Sequence, residues 1–281
     1  MLNGKFLVKT PVSKPDGTGV LVLKRCHRNS NSTMPDFLIV GTQKGGTTSL
    51  YHYLTQHPQI LPAAEKEVHF FDLQFHHGID WYRQQFPDRE SPALTLTGEA
   101  TPYYLFHPLV PHRVQDLFPQ VKLILLLRNP VERAWSHYNH EVRWGFETLS
   151  FTEAIAQEPT RLAGEVEKMW ADPNYYSYNH QHYAYLSRGM YATQLKMWME
   201  LFPKEQFLIL SSEAFYANPA ATLAETLAFL GLPPMEIADY PKYNAGEYAT
   251  LPEGLQSTLN QYFQPHNQQL VDEFSLNFSW N

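Results

Sequence analysis

Apolar positions along the chain form short unbroken runs separated by longer stretches of helical spacing. Phe37, Leu38, Ile39 and Val40 make one run, residues 121–127 (Val121 to Leu127, broken only by Lys122) a second, and Phe207, Leu208, Ile209 and Leu210 a third. The second run, apolar throughout its core, suits a strand in the middle of a parallel sheet covered on both faces, and the third reads as a last core strand. Residues 95–102 read as a further strand and its exit loop. Between the runs, Val110, Val114, Leu117 and Phe118, and later Tyr191, Leu195, Trp198 and Leu201, recur at helical spacing. Helices are also expected over residues 80–86, 130–138, 151–171, 212–216 and 220–230, with two more over 252–263 and 265–274. Strand alternating with helix predicts an α/β fold: a P-loop-like central parallel sheet flanked by helices, in three layers.

Punctuation supports these boundaries. Pro58, Pro87 and Pro203 end helices, because a residue before proline is pushed out of helical geometry. Pro130 falls instead in the first turn of its helix, where a missing N–H costs least. Residues 1–34 are rich in turn formers around one short strand, residues 20–23, and are expected to be an N-terminal arm. Residues 35–281 form a single domain, and residues 172–180 a tyrosine-rich loop.

Composition narrows the function classes. A chain of 281 residues with 43% hydrophobic content can bury a full core, and a net charge of −7 argues against a broad nucleic-acid-binding face. Cys26 is the only cysteine, which excludes an internal disulfide and a cysteine-rich zinc site. No stretch approaches the roughly 20 apolar residues that span a bilayer, so a cytoplasmic protein without a membrane span is expected.

The chemistry concentrates after the first apolar run. Gly41, Thr42, Gln43, Lys44, Gly45, Gly46, Thr47 and Thr48 lead directly into a helix. Glycines let a backbone approach a ligand closely, the N–H groups of a helix start attract anions, and Lys44 adds a full positive charge. A nucleoside-triphosphatase loop needs its lysine directly after the last glycine, yet Thr47 stands there. The strand ending at Leu127 is followed by Arg128 where a magnesium-binding enzyme would place Asp, so the site offers cations to phosphate without an evident metal ligand. Arg128 at a strand end and Ser136 two turns into the next helix can both face the crevice outside the sheet. In residues 65–72, read as extended, alternation puts Glu67 and His69 on one face and Val68 and Phe70 on the other.

The loop 41–48, the box Glu67-Val68-His69-Phe70-Phe71-Asp72 and the segment Leu127-Arg128-Asn129-Pro130 with Arg133 and Ser136 together resemble PAPS-dependent sulfotransferases. PAPS is 3′-phosphoadenosine 5′-phosphosulfate. The pattern is most similar to the heparan-sulfate 3-O- and N-sulfotransferase branch and its bacterial relatives, over residues 35–275. The resemblance implies that Lys44, Gly45, Gly46, Thr47 and Thr48 hold the 5′-phosphosulfate, and that Arg128 and Ser136 hold the 3′-phosphate. It implies Glu67 as general base, with His69 and Asp72 beside it in the acceptor site and Arg188 as a cleft residue. Lys44 would counter charge on the leaving oxygen, PAP would be the product, and no metal would be needed.

Two departures bear on the acceptor. Where the heparan branch has a Glu-Lys-Thr-Pro segment, this chain has Glu99-Ala100-Thr101-Pro102, and a Lys-Gly-Arg cap is replaced by residues 244–248. Both losses remove positive charge, so a small molecule, lipid or lightly charged glycan is expected rather than a highly sulfated polysaccharide. A P-loop kinase and a catalytically inert nucleotide-binding protein of the same fold are the competing expectations.

Overall fold

The computed structural model describes residues 7–12, 20–25, 34–88, 95–243 and 249–280. In the arm, β1 (Leu7–Val12) and β2 (Val20–Arg25) pair antiparallel, so the one strand expected there has a partner. The remaining strands are β3 (Phe37–Gly41), β4 (Ile60–Pro62), β5 (Leu96–Ala100), β6 (Lys122–Leu127) and β7 (Phe207–Ser211). They form a five-stranded sheet in the order β4-β5-β3-β6-β7, parallel at every pairing. Short β4 carries no apolar run long enough to reveal it in the sequence.

Each apolar strand feeds two cores because successive side chains point to opposite faces. Leu38, Val40, Leu123, Leu125 and Leu127 pack on one side, with Val110 and Val114 of α3 (Val110–Leu117) and Leu195 and Trp198 of α8 (Tyr191–Met199). Phe37, Ile39, Ile124 and Leu126 pack on the other, with Leu50 and Leu54 of α1 (Thr47–Leu54) and Leu223 and Leu227 of α10 (Pro219–Leu230). All the sheet residues named are fully buried. At about 1.5–3 kcal/mol per large apolar side chain, this two-sided burial holds the three layers together.

The other helices are α2 (Ile79–Arg83), α4 (Pro130–Arg143), α5 (Phe151–Leu162), α6 (Glu165–Ala171), α7 (Tyr178–His182), α9 (Ser212–Ala217) and α11 (Glu253–Phe274). Three sequence expectations need correction. The helix expected over 151–171 is split at Gly164, which adopts a left-handed conformation (φ 75°) between α5 and α6. The two helices expected after residue 252 are one, with Pro265 inside α11, because Leu259, Phe263 and Leu270 are buried along its length and outweigh the local proline penalty. Residues 67–72 are not extended: Glu67 (φ 65°) and His69 (φ 54°) are left-handed, and the segment is a turn. The expected change at residues 244–248 lies outside the described residues.

The topology places a ligand crevice. From central β3 the chain goes to β4 and β5 on one side, then crosses to β6 and β7 on the other. Ligands of open α/β sheets bind outside the carboxyl ends of the strands at such a reversal. Here those ends carry Gly41, Thr101, Arg128 and Ser211.

Candidate active site

The phosphate-type loop is shaped by its glycines. At Gly45 a Cβ would stand 2.6 Å from the Leu126 carbonyl oxygen, and at Gly46 (φ 102°) it would stand 2.9 Å from the Tyr216 hydroxyl. Hydrogen bonds pin the loop, among them Thr42 N–H to the Leu126 carbonyl at 3.0 Å, Gly45 N–H to the Thr42 carbonyl at 2.9 Å, and the Ser212 hydroxyl to the Gly45 carbonyl at 2.7 Å. α1 then starts at Thr47 with no side-chain cap from Gly46. The first N–H groups of a helix have no partner within it, so an uncapped start with Thr47 and Thr48 in its first turn is suited to an anion.

Lys44 sits in this loop in a left-handed conformation (φ 70°). Its pKa is lowered, chiefly by burial and then by Arg128, against the opposing pull of Glu141 and Glu67. Arg128, at the end of β6, donates from Nη1 to the Lys44 carbonyl at 3.1 Å, and its Nη2 stands 3.5 Å from Glu132. Asn129 caps α4, accepting from the N–H groups of Val131 at 2.9 Å and Glu132 at 3.3 Å. Ser136 is 3% exposed on the same helix. The structure thus brings the Lys44 loop and Arg128 together at the ends of adjacent strands.

The acidic box forms one linked group. His69 Nε2 is 3.5 Å from Glu67 and its Nδ1 is 2.8 Å from Asp72, whose carboxylate is fully buried. Burial would lower the His69 pKa, but Asp72 and Glu67 outweigh it and raise the value to about 10. Burial would raise that of Glu67, but His69 and Lys66 outweigh it and lower the value to about 2. Lys66 also contacts Glu67 directly, an ion pair the sequence pattern did not single out. Glu67 and His69 meet as expected, though through a left-handed turn rather than along one face of a strand.

Arg188 is 4% exposed, beneath the phosphate-type loop. It donates to the Gln43 side chain at 2.5 Å and to the carbonyls of His180 at 3.0 Å and Gln181 at 2.6 Å, and lies over the Tyr103 ring at 4.8 Å. This geometry makes it a support of the loop.

Other residues complete the crevice without any signal in the sequence. On α4, Glu141 lies 3.2 Å from His137 and 2.8 Å from His182; burial opposes its charge, but the two histidines hold its pKa down to about 2. The His140 pKa is lowered, first by burial and then by Lys44, against the opposing pull of Glu141 and Glu67. A pocket behind the acidic box is lined by Asp72, Phe75, His76, Tyr175 and Tyr176 among others, and Arg113 stands against its wall, 4.4 Å over the Phe75 ring and donating to the carbonyls of Asp72 at 3.3 Å and Pro173 at 2.6 Å. A hydrogen bond of 3.2 Å joins Tyr176 to His182.

Comparison with known proteins agrees with this geometry. The family model described as "Sulfotransferase domain" matches residues 34–245. Among curated proteins, the membrane-associated sulfotransferase kil1 of Dictyostelium discoideum is 27% identical over 88% of this chain and 66% of its own length. Human bifunctional heparan sulfate N-deacetylase/N-sulfotransferase 2 is 32% identical over 75% of this chain but 23% of its own. The chain therefore spans less than two thirds of the length of these two relatives. The crystal structure of a sulfotransferase from Alicyclobacillus acidocaldarius is similar at a TM-score of 0.72 and 31% identity, over 88% of this chain and 99% of that one. No described helix is long and apolar enough to cross a membrane. With its parallel sheet, its glycine loop at the central strand and the family model matched across most of its length, the chain belongs to the sulfotransferase domain family.

Proposed function

We propose that the chain moves a sulfuryl group from PAPS to a hydroxyl, or less readily an amine, of a small molecule, lipid or glycan, with Glu67 as general base and without a metal, in the cytoplasm. The observation that carries this is the 3.1 Å contact between Arg128 and Lys44, which sets two cationic positions at one crevice beside a carboxylate. The donor set fits PAPS. Lys44, the close-approach backbone of Gly45 and Gly46, and the uncapped start of α1 at Thr47 and Thr48 would hold its 5′ end. Arg128 and Ser136 would hold the 3′-phosphate that sets this donor apart from ATP.

PAPS supplies the sulfuryl group and leaves as PAP. Each residue then has a defined task. Lys44 presents positive charge where the leaving oxygen gains negative charge, an electrostatic effect that is strong in a site removed from water. Glu67 is ionised at neutral pH and accepts the proton of the acceptor hydroxyl, while His69, charged because its pKa is raised to about 10, orients Glu67 rather than acting as the base. Asp72 holds His69 from behind. Because Lys66 and His69 weaken Glu67 as a base in the free protein, the acceptor hydroxyl would have to take the place of one of these contacts. The pocket beside Asp72 offers the ring faces of Tyr175 and Tyr176 to an apolar body or a sugar ring.

Incubation with sulfur-35-labelled PAPS and extracts of the source cells, followed by mass spectrometry of labelled products, tests the proposal. A sulfated metabolite is expected. PAP binding with no transfer across a broad set of acceptors would favour an inert binding protein, and magnesium-dependent ATP hydrolysis would favour a kinase-type enzyme.

A further inference from the structure

We infer that Glu99, a fully buried carboxylate outside the acceptor crevice, is the positioning residue that holds the Glu67–His69 turn in its active shape. The inference rests on Glu67 being the general base. Glu99 is the penultimate residue of β5 and has no lysine or arginine among its hydrogen-bond partners in the described residues. It accepts from the hydroxyls of Thr101 at 2.6 Å, Tyr82 at 2.7 Å and Tyr104 at 2.9 Å, and from the Val68 N–H at 3.3 Å. All four of Glu99, Thr101, Tyr82 and Tyr104 are fully buried.

These hydrogen bonds have a direction. Because Thr101 and Tyr104 give their protons to Glu99, their oxygens are left to accept. The His69 N–H points to Thr101 at 3.4 Å, and the N–H groups of Phe70 and Phe71 point to Tyr104 at 2.9 and 3.4 Å. Four consecutive backbone N–H groups, from Val68 to Phe71, therefore converge on one carboxylate and two hydroxyls that it polarises. Successive N–H groups gather in this way where left- and right-handed residues alternate, making a concave site for an anion. Glu67 and His69 are left-handed, at φ 65° and 54°. For residues with side chains that conformation is strained and persists only where surrounding contacts enforce it. Burial raises the Glu99 pKa, and the hydroxyls of Thr101, Tyr82 and Tyr104 oppose that rise. Glu99 is the acceptor group that the turn encloses, and its cluster enforces the two backbone conformations that put Glu67 and His69 side by side.

The test compares Glu99→Gln and Tyr104→Phe with the unaltered enzyme, alone and combined with Glu67→Gln. The amide of Glu99→Gln adds a donor where every partner already donates, and Tyr104→Phe removes the acceptor of Phe70. For each single variant the expected result is a fall in kcat of about tenfold or more with PAP affinity within twofold of normal, the pattern of a group acting in the reacting state and not in donor binding. Combined with Glu67→Gln, Glu99→Gln should slow the reaction little further, since both act through one carboxylate. Normal kcat in both single variants would overturn the inference. So would equal loss of PAP binding and kcat in both, because that is the mark of general unfolding. If Glu67→Gln alone keeps its turnover, the base assignment fails; a slow Glu99→Gln in that case keeps the turn as the target of Glu99, through His69.

Discussion

Arg128 reaches across from the end of β6 to the carbonyl of Lys44 at the end of β3, a separation of 3.1 Å. The two side chains that would carry the opposite acidic ends of one nucleotide thus follow neighbouring strands. Arg128→Ala should weaken PAP binding by about 1.5 to 3 kcal/mol through loss of a charge-assisted hydrogen bond. Titration calorimetry measures this directly, and unchanged affinity would remove Arg128 from the binding site.

Glu67 separates donor binding from chemistry. Glu67→Gln should leave PAP affinity near normal while lowering turnover by about 10² or more, the usual worth of a positioned base. Single-turnover kinetics with labelled PAPS read the chemical step. Near-normal turnover would exclude Glu67 as the base.

His69 lies between Glu67 at 3.5 Å and Asp72 at 2.8 Å, and its pKa rises from the ordinary 6.5 to about 10. The folded value is above the unfolded one, so the charged ring contributes stability that is complete below about pH 6.5 and is lost as pH rises through about 10. Glu67, lowered from 4.5 to about 2, behaves in the opposite sense: its contribution is present above about 4.5 and lost as pH falls through about 2. In a proton NMR titration His69 should remain protonated at pH 8, and Asp72→Asn should bring its midpoint down toward the ordinary value. A midpoint already near 6.5 in the unaltered protein would contradict the linked carboxylate–imidazole arrangement.

Gly46 must be left-handed, at φ 102°, with a Cβ position only 2.9 Å from the Tyr216 hydroxyl. Gly46→Ala should destabilise the fold by about 1 to 2 kcal/mol from backbone strain, lowering Tm, and should weaken PAP binding by about tenfold or more as the loop shifts. Calorimetry gives both quantities. An unaltered Tm with unaltered PAP affinity would mean that the loop tolerates the side chain and is not the rigid cradle described above.

Much was legible before any coordinates. The strands at residues 37–40, 121–127 and 207–210 are apolar at nearly every position because both their faces are covered, and that leaves an unambiguous mark. The loop around Lys44 was equally readable, since glycine, lysine and threonine each contribute a local property to anion binding. Local pattern failed where distant packing overrides it. Pro265 stays inside α11 because buried Phe263 and Leu270 hold the helix on both sides of it. The 65–72 segment alternates like a strand, yet its Val68, His69 and Phe70 N–H groups donate to Glu99, Thr101 and Tyr104, about 30 residues away, and Glu67 and His69 are left-handed.

The sequence by itself determined the layered α/β plan, the glycine- and lysine-bearing loop before α1 and the identity of the charged groups, because each depends on neighbours a few positions away. Only the tertiary structure decided that Arg128 meets Lys44, that Arg188 supports Gln43, and that His69 lies between two carboxylates. Those facts depend on which strand ends become adjacent and on how much water is excluded there. Strand order and desolvation are properties of the folded whole, and no short stretch of residues carries them.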